Sequence, residues 1–287
     1  MGQTEEDIER RKFLGAVTAA SASVALNSAF TRFGGAQANA PAMSARAAGR
    51  GPGATEFPEN ASIVLVHAAW ADGSCWSNVV GPLERHGLSV MCAPIPMTSL
   101  SDDAAALSRA LERTSGPVVL AGHAYSGAVI ATTKEDRVKG LVYVTALAPD
   151  EGETVAKVFY HDEAGPYQPK MVPDAHGYVW MPDDAFSRAL AHKASADQAK
   201  IAAAVQRPIA VQCIQEPAPK PAWKTKPAWY LVAEEDRMIN PKTQRFMAER
   251  MGAKVRPHAV DHTTMYADPK VVVEVVLEAA RETLVRS

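Results

Sequence analysis

Three cysteines in 287 residues, Cys75, Cys92 and Cys213, are too few and too irregularly spaced for a disulfide framework or a zinc site. Cys75 reads as a small residue at a helix start and Cys92 as a strand core residue. Charge of one sign is also lacking. Thirty basic against thirty-two acidic residues leave a formal charge of -2, which provides no sequence-wide attraction to nucleic acid or to anionic lipid. A long apolar run is missing too: the best stretch, Ala16 to Phe30, is interrupted by Thr18, Ser21, Ser23, Asn27 and Ser28, too polar for a span of about 20 apolar residues. With 47% hydrophobic residues the chain can nonetheless bury one good core.

That weakly apolar stretch follows Glu9-Arg10-Arg11-Lys12-Phe13-Leu14-Gly15 and ends in Ala36-Gln37-Ala38-Asn39-Ala40. The pattern resembles a twin-arginine export signal with its cleavage site. It implies removal of residues 1–40, transient contact with an export machinery, and a mature protein in the periplasm or outside a bacterial cell, with no stable membrane insertion. Residues 41–58 read as a linker rich in Pro, Gly and Ala.

From residue 59 onward apolar runs alternate with helical patterns. Strands are expected at 62–67, 88–93, 117–122, 140–146, 228–233 and 254–260, and helices at 75–86, 102–114, 126–134, 242–252 and 269–285. Such alternation implies an α/β fold with a mostly parallel, doubly wound sheet covered on both faces. A break at about 149–222 holds two expected helices, Asp183 to His192 and Ser195 to Val205. Pro217 to Ala222 is a stiff return to the sheet.

One further absence concerns chemistry. Val118 to Ala128 reads as a buried strand, a tight turn and a helix, the setting in which Gly-x-Ser-x-Gly presents a nucleophile. The nucleophile position is occupied by Ala124, whose flanks Gly122 and Ser126 are small enough for strand and helix to approach. A frame shifted by two would make Ser126 the nucleophile instead. It ranks second, because the apolar run ends too early to deliver residue 126.

Downstream, Trp229 to Ala233 leads into Glu234-Glu235-Asp236, and Val260-Asp261-His262-Thr263-Thr264 follows the last strand. The chain order is elbow, acid, histidine. With Ser62-Ile63-Val64-Leu65-Val66-His67-Ala68-Ala69-Trp70 near the start, residues 62–285 resemble the α/β-hydrolase superfamily, in its compact esterase-like branch with His-Gly-x-Trp after the first core strand. The resemblance implies an inserted helical cap over the site at about 149–222, His262 as base, Asp236 as its orienting acid, and the N–H groups of Ala69 and Tyr125 as oxyanion donors. Two positions depart from the family pattern: Ala124 stands for serine, and Ala68 for the usual glycine.

Trp70, His123, Trp180, Met181 and Phe186 are candidate pocket residues, with Met171 beside them. His67 reads as a structural hydrogen-bonder rather than a base, the same caveat applies to His123, and Asp261 is the residue most easily confused with the partner of His262. The remaining histidines show no metal spacing, and neither a cofactor nor a metal is called for. A small uncharged carbonyl compound is the expected substrate class. Three readings stay open: an enzyme using the His262 and Asp236 dyad as a base without a covalent step, a serine esterase whose nucleophile is changed to alanine or displaced to Ser126, and a non-catalytic small-ligand-binding protein. The superfamily includes lyases, cofactor-free oxygenases and cyclases besides esterases, so fold alone cannot choose.

Overall fold

The computed structural model describes residues 56–285. The expected export signal and all but the end of the linker lie outside them. In chain order the sheet region comprises β1 (Ser62–Val66), α1 (Ser77–Arg85), β2 (Ser89–Ala93), α2 (Leu100–Leu111), β3 (Val118–His123), α3 (Ser126–Ala131) and β4 (Val138–Val144). The cap follows, with α4 (Val155–Phe159), β5 (Tyr178–Val179), α5 (Asp183–Ala185), α6 (Ala196–Ala204), β6 (Ile209–Ala210) and α7 (Val211–Gln215). The chain then returns through β7 (Ala228–Ala233), α8 (Pro241–Arg250), β8 (Lys254–His258), α9 (Thr264–Ala267) and α10 (Pro269–Leu284).

Six strands form one parallel sheet in the order β2-β1-β3-β4-β7-β8. Its inner strands are predominantly apolar because helices cover both faces; every residue of β1, β3 and β7 is buried. From β1 the chain steps outward to β2 and then returns to the other side of β1 as β3. The carboxyl ends of β1 and β3 therefore flank a topological switch point, where open α/β sheets bind ligands.

α10 shows packing overruling propensity. Val271, Val272, Val273, Val275 and Val276 are poor helix formers, yet all are buried against the sheet. Pro269 at its first turn and the Asp268 carboxylate, which accepts from the Lys270 N–H at 3.2 Å, fix where it begins. α2 starts two residues before its expected position, because Ser99 Oγ accepts from the Asp102 N–H at 3.0 Å and caps it there.

The cap departs furthest from the sequence reading. Besides helices it contains an antiparallel ribbon in which Tyr178 pairs with Ala210 and Val179 with Ile209. Strands of two residues are too short to show alternation. The helix expected over Asp183 to His192 begins as α5 but widens at once into a π turn over Phe186–Leu190, while α6 carries a capping box between Ser195 and Gln198. Two short helices, α4 and α7, were not anticipated.

Candidate active site

At the expected elbow the chain makes a sharp turn centred on Ala124 between β3 and α3. Ala124 has φ +47°, a left-handed conformation that costs a residue bearing a β-carbon roughly 1–2 kcal/mol. The surrounding structure enforces it: the Ala124 N–H donates to Val144 O at 3.3 Å, and its carbonyl accepts from Leu147 N at 2.8 Å and Gly127 N at 3.1 Å. A Cβ on Gly122 would stand 2.6 Å from the Ser126 carbonyl oxygen, and one on Gly127 would stand 2.4 Å from the Leu147 carbonyl oxygen. The tightest approach on the helix side is therefore at Gly127, not at Ser126.

Ser126 fails as an alternative nucleophile on its position. It is fully buried and its hydroxyl donates to the His67 carbonyl, so that oxygen joins the loop after β1 to the first turn of α3. The unused donors lie nearby. Among the described residues the N–H groups of Ala69 and Tyr125 find no acceptor. Ala69 and Ala124 each keep 7% exposure.

Asp236 follows β7 and His262 follows β8. His262 Nδ1 lies 2.8 Å from Asp236 Oδ2. The same carboxylate accepts from the Met238 N–H at 2.7 Å, the Ile239 N–H at 3.0 Å and Gln244 Nε2 at 2.7 Å. Gln244 is fully buried and its Oε1 accepts from the Ala233 N–H at 3.0 Å, which locks the acid from behind. Because the carboxylate only accepts, Nδ1 carries a hydrogen, and in the neutral ring it is Nε2 that holds the lone pair. The carbonyl of His262 is held in turn by His123 Nε2 at 2.8 Å and Thr145 Oγ1 at 3.1 Å. Sequence reasoning missed Gln244 and Thr145, since neither belongs to a motif and only the folded distances recruit them.

Asp261 is not the partner of His262. Its Oδ2 points into the cap and accepts from the Lys193 N–H at 2.7 Å, with His192 Nδ1 at 3.9 Å.

A model of the alpha/beta hydrolase family matches residues 63–275. The chain belongs to this family. Among solved structures it is similar to polyneuridine aldehyde esterase, with TM-score 0.67 and 18% identity over 76% of this chain and 98% of that one. It is also similar to a pyrethroid hydrolase from Sphingobium faniae JZ-2, with TM-score 0.65 and 20% identity over 77% and 97%. An extracellular α/β-hydrolase from a Paenibacillus species gives TM-score 0.64 and 20% identity over 76% and 98%. Among curated proteins none matches by sequence.

In this α/β hydrolase the cap is tied to the turn at Trp70 and to the loops that carry Asp236 and His262. Trp70, at φ +58°, donates its backbone N–H to Arg207 O at 3.0 Å and its indole N–H to Val179 O at 2.9 Å. Lys193 Nζ reaches Glu235 Oε1 at 2.6 Å and Ala259 O at 2.7 Å, and Arg237 donates to Arg188 O at 2.9 Å. Of the expected pocket residues, Met181 and Phe186 are buried within the cap. Trp180 instead stands on the cap surface, 50% exposed with its indole donating to Asp174 Oδ2 at 3.2 Å. His123 is buried, with its Nε2 at the His262 carbonyl. Among the described residues no group of three His, Cys, Asp or Glu side chains could hold a metal ion.

A second buried network lies behind Tyr125. Its hydroxyl donates to Asp103 Oδ2 at 2.7 Å, Asp103 Oδ1 accepts from the Met97 N–H at 2.7 Å, and Cys213 Sγ from the cap lies 3.7 Å from Oδ2. Burial raises the Asp103 carboxyl above its usual range despite these donors.

The buried histidines set an acid limit on stability. His123 is held well below the ordinary imidazole value of 6.5, first by burial and then by neighbouring His262, and His67 is lowered chiefly by burial. As the pH falls below about 6.5 the unfolded chain protonates these rings first, so the stability present above that value is progressively lost. Asp103 and Asp261, raised by burial, act in the opposite sense at lower pH, nearer the carboxylate reference of 3.8. Urea midpoints should therefore fall between about pH 7.5 and 5.5, with a slope of up to ~1.4 kcal/mol per pH unit for each histidine. A profile flat across that window would show that these rings protonate freely in the folded protein.

Proposed function

We propose that this chain is an enzyme in which His262, oriented by Asp236, acts as a general base on a small uncharged carbonyl or ester compound, with no covalent acyl intermediate at residue 124. The observation that carries the reading is the buried pair of His262 and Asp236, together with the N–H groups of Ala69 and Tyr125, which have no acceptor among the described residues. Four donors hold the Asp236 carboxylate in place. The esterase and hydrolase names of the similar structures support an ester or related carbonyl substrate.

In hydrolysis His262 Nε2 removes a proton from water as the water oxygen bonds to the carbonyl carbon. The carbonyl electron pair moves onto oxygen, where the Ala69 and Tyr125 N–H groups receive it. Collapse expels the alkoxide, which takes the proton back from Nε2. The same lone pair can instead remove a proton from carbon beside a carbonyl, giving an enolate held by the same donors. Base assistance of this kind supplies ~10²–10⁴-fold.

The unmodified protein should resist fluorophosphonate labelling, and His262→Ala should lower kcat/KM for any carbonyl substrate it turns over by about 10²–10⁴-fold. Stoichiometric labelling mapped to a serine in the pocket would overturn the non-covalent reading.

The proposal extends to place: Arg10-Arg11 and the stretch ending in Ala36-Gln37-Ala38-Asn39-Ala40 direct export through the twin-arginine route. Arg10→Lys with Arg11→Lys should abolish appearance of the mature form outside the cytoplasm. Undiminished export of that double variant, or exported protein still beginning at Met1 or Gly2, rejects it.

A further inference from the structure

Beneath the site, three sealed polar atoms have no hydrogen-bond partner among the described residues: His67 Nε2, Trp76 Nε1 and His123 Nδ1. They belong to one place. Val66 pairs with Gly122 in the parallel register of β1 and β3, so His67 and His123 are the next pair at the strand ends, a strand spacing of about 4.8 Å apart. Paired residues of neighbouring strands share a face. On that face Ile63 and Leu65 of β1 and Val119 and Ala121 of β3 pack into the same core cluster as Trp76. The Trp76 and His123 rings meet edge-on, with centroids 6.3 Å apart.

Their donor and acceptor roles are fixed by what the other atoms do. His123 Nε2 faces the His262 carbonyl at 2.8 Å, and a carbonyl can only accept, so the hydrogen is on Nε2 and Nδ1 presents a lone pair. By the same reasoning His67 Nδ1, 3.1 Å from Ala68 O, carries the hydrogen, and Nε2 presents a lone pair. The Trp76 indole can only donate. Two lone pairs cannot satisfy each other, and one indole hydrogen can serve only one of them. What completes the set is a molecule with one acceptor and two donors.

We propose that His67 Nε2, Trp76 Nε1 and His123 Nδ1 form a binding site for a single buried water, which accepts from the indole and donates to both imidazoles. Three hydrogen bonds are the usual complement of a buried water, and sealed polar groups are nearly always paired. The depressed proton affinity of both rings agrees, since a protonated ring would offer the water a donor where it needs an acceptor. Through this water the loop carrying Ala69, the turn carrying Trp76, the elbow and the carbonyl of His262 become one hydrogen-bonded unit. The site stands apart from the proposed reaction and holds whether or not the dyad is catalytic.

A crystal structure of the unmodified protein at about 1.5 Å should show one density peak within ~2.7–3.2 Å of all three atoms. In solution, ¹⁵N spectra should show His123 as the Nε2–H tautomer and His67 as the Nδ1–H tautomer. The Trp76 indole proton should show a nuclear Overhauser effect to a long-lived water and exchange about 100-fold more slowly than that of the half-exposed Trp180. Absence of the peak, a peak bonded to only one of the three atoms, a direct bond between the indole and either ring, or the opposite tautomer on either histidine overturns the proposal.

Discussion

Ala124→Ser is expected to turn a protein that does not react with fluorophosphonates into one that labels stoichiometrically, and to create hydrolysis of short aryl esters. Residue 124 already has the left-handed backbone that lifts a side chain off the end of β3. The Asp236 carboxylate already holds His262 Nδ1 at 2.8 Å, and the Ala69 and Tyr125 N–H groups have no acceptor among the described residues. Only a hydroxyl is added. Since the members of such a triad act as a unit, the gain should collapse entirely when His262→Ala is combined with it. Labelling should fall on residue 124 and not on Ser126, whose oxygen is committed to the His67 carbonyl. If the variant neither labels nor hydrolyses while keeping the parent stability, Nε2 of His262 is not aimed at residue 124, and the non-covalent proposal falls with it.

Asp103→Ala should be strongly destabilising although it lies away from the reactive groups. It strips the Tyr125 hydroxyl and the Met97 N–H of their acceptor inside the protein, and each buried donor left unpaired costs about 1–3 kcal/mol. Part of that loss is offset by removing a carboxylate that burial already penalises. The melting temperature should therefore fall by several degrees, corresponding to ~2–4 kcal/mol, whereas Asp103→Asn, which keeps an acceptor and discards the charge, should cost less than about 1 kcal/mol. Equal losses in both variants would mean that the charge, not the hydrogen bonds, stabilises the contact between α2, the elbow and the cap.

Much of this fold was legible before any coordinate. Strands buried on both faces advertise themselves as continuous apolar runs, and all six expected sheet strands appear, displaced by no more than two residues at either end. The sharp turn after β3 was legible for a related reason, although the sequence reading placed the small flanks at Gly122 and Ser126 and the crowding falls at Gly122 and Gly127. The roles of Ser126 and His123 were not, since a hydroxyl or an imidazole beside a reactive turn looks the same in sequence whether it faces a ligand or a carbonyl. Gln244, Thr145 and Asp103 left no signal: each is recruited by one or two hydrogen bonds between segments far apart in the chain. The cap was least legible, because its short elements are specified by contacts with the loops beneath them and not by a repeating pattern of their own.

Those contacts limit how freely this molecule could be re-engineered. Exchanging caps between related scaffolds is an obvious route to new selectivity, and it treats the insert as an independent module. Here Arg207 and Val179 brace the turn at Trp70, while Lys193 and Arg188 grip the residues flanking Asp236 and preceding His262. A foreign cap would remove the bracing of both loops at once. The grafted protein would need its own counterparts of these six bonds before any new selectivity could be read from it.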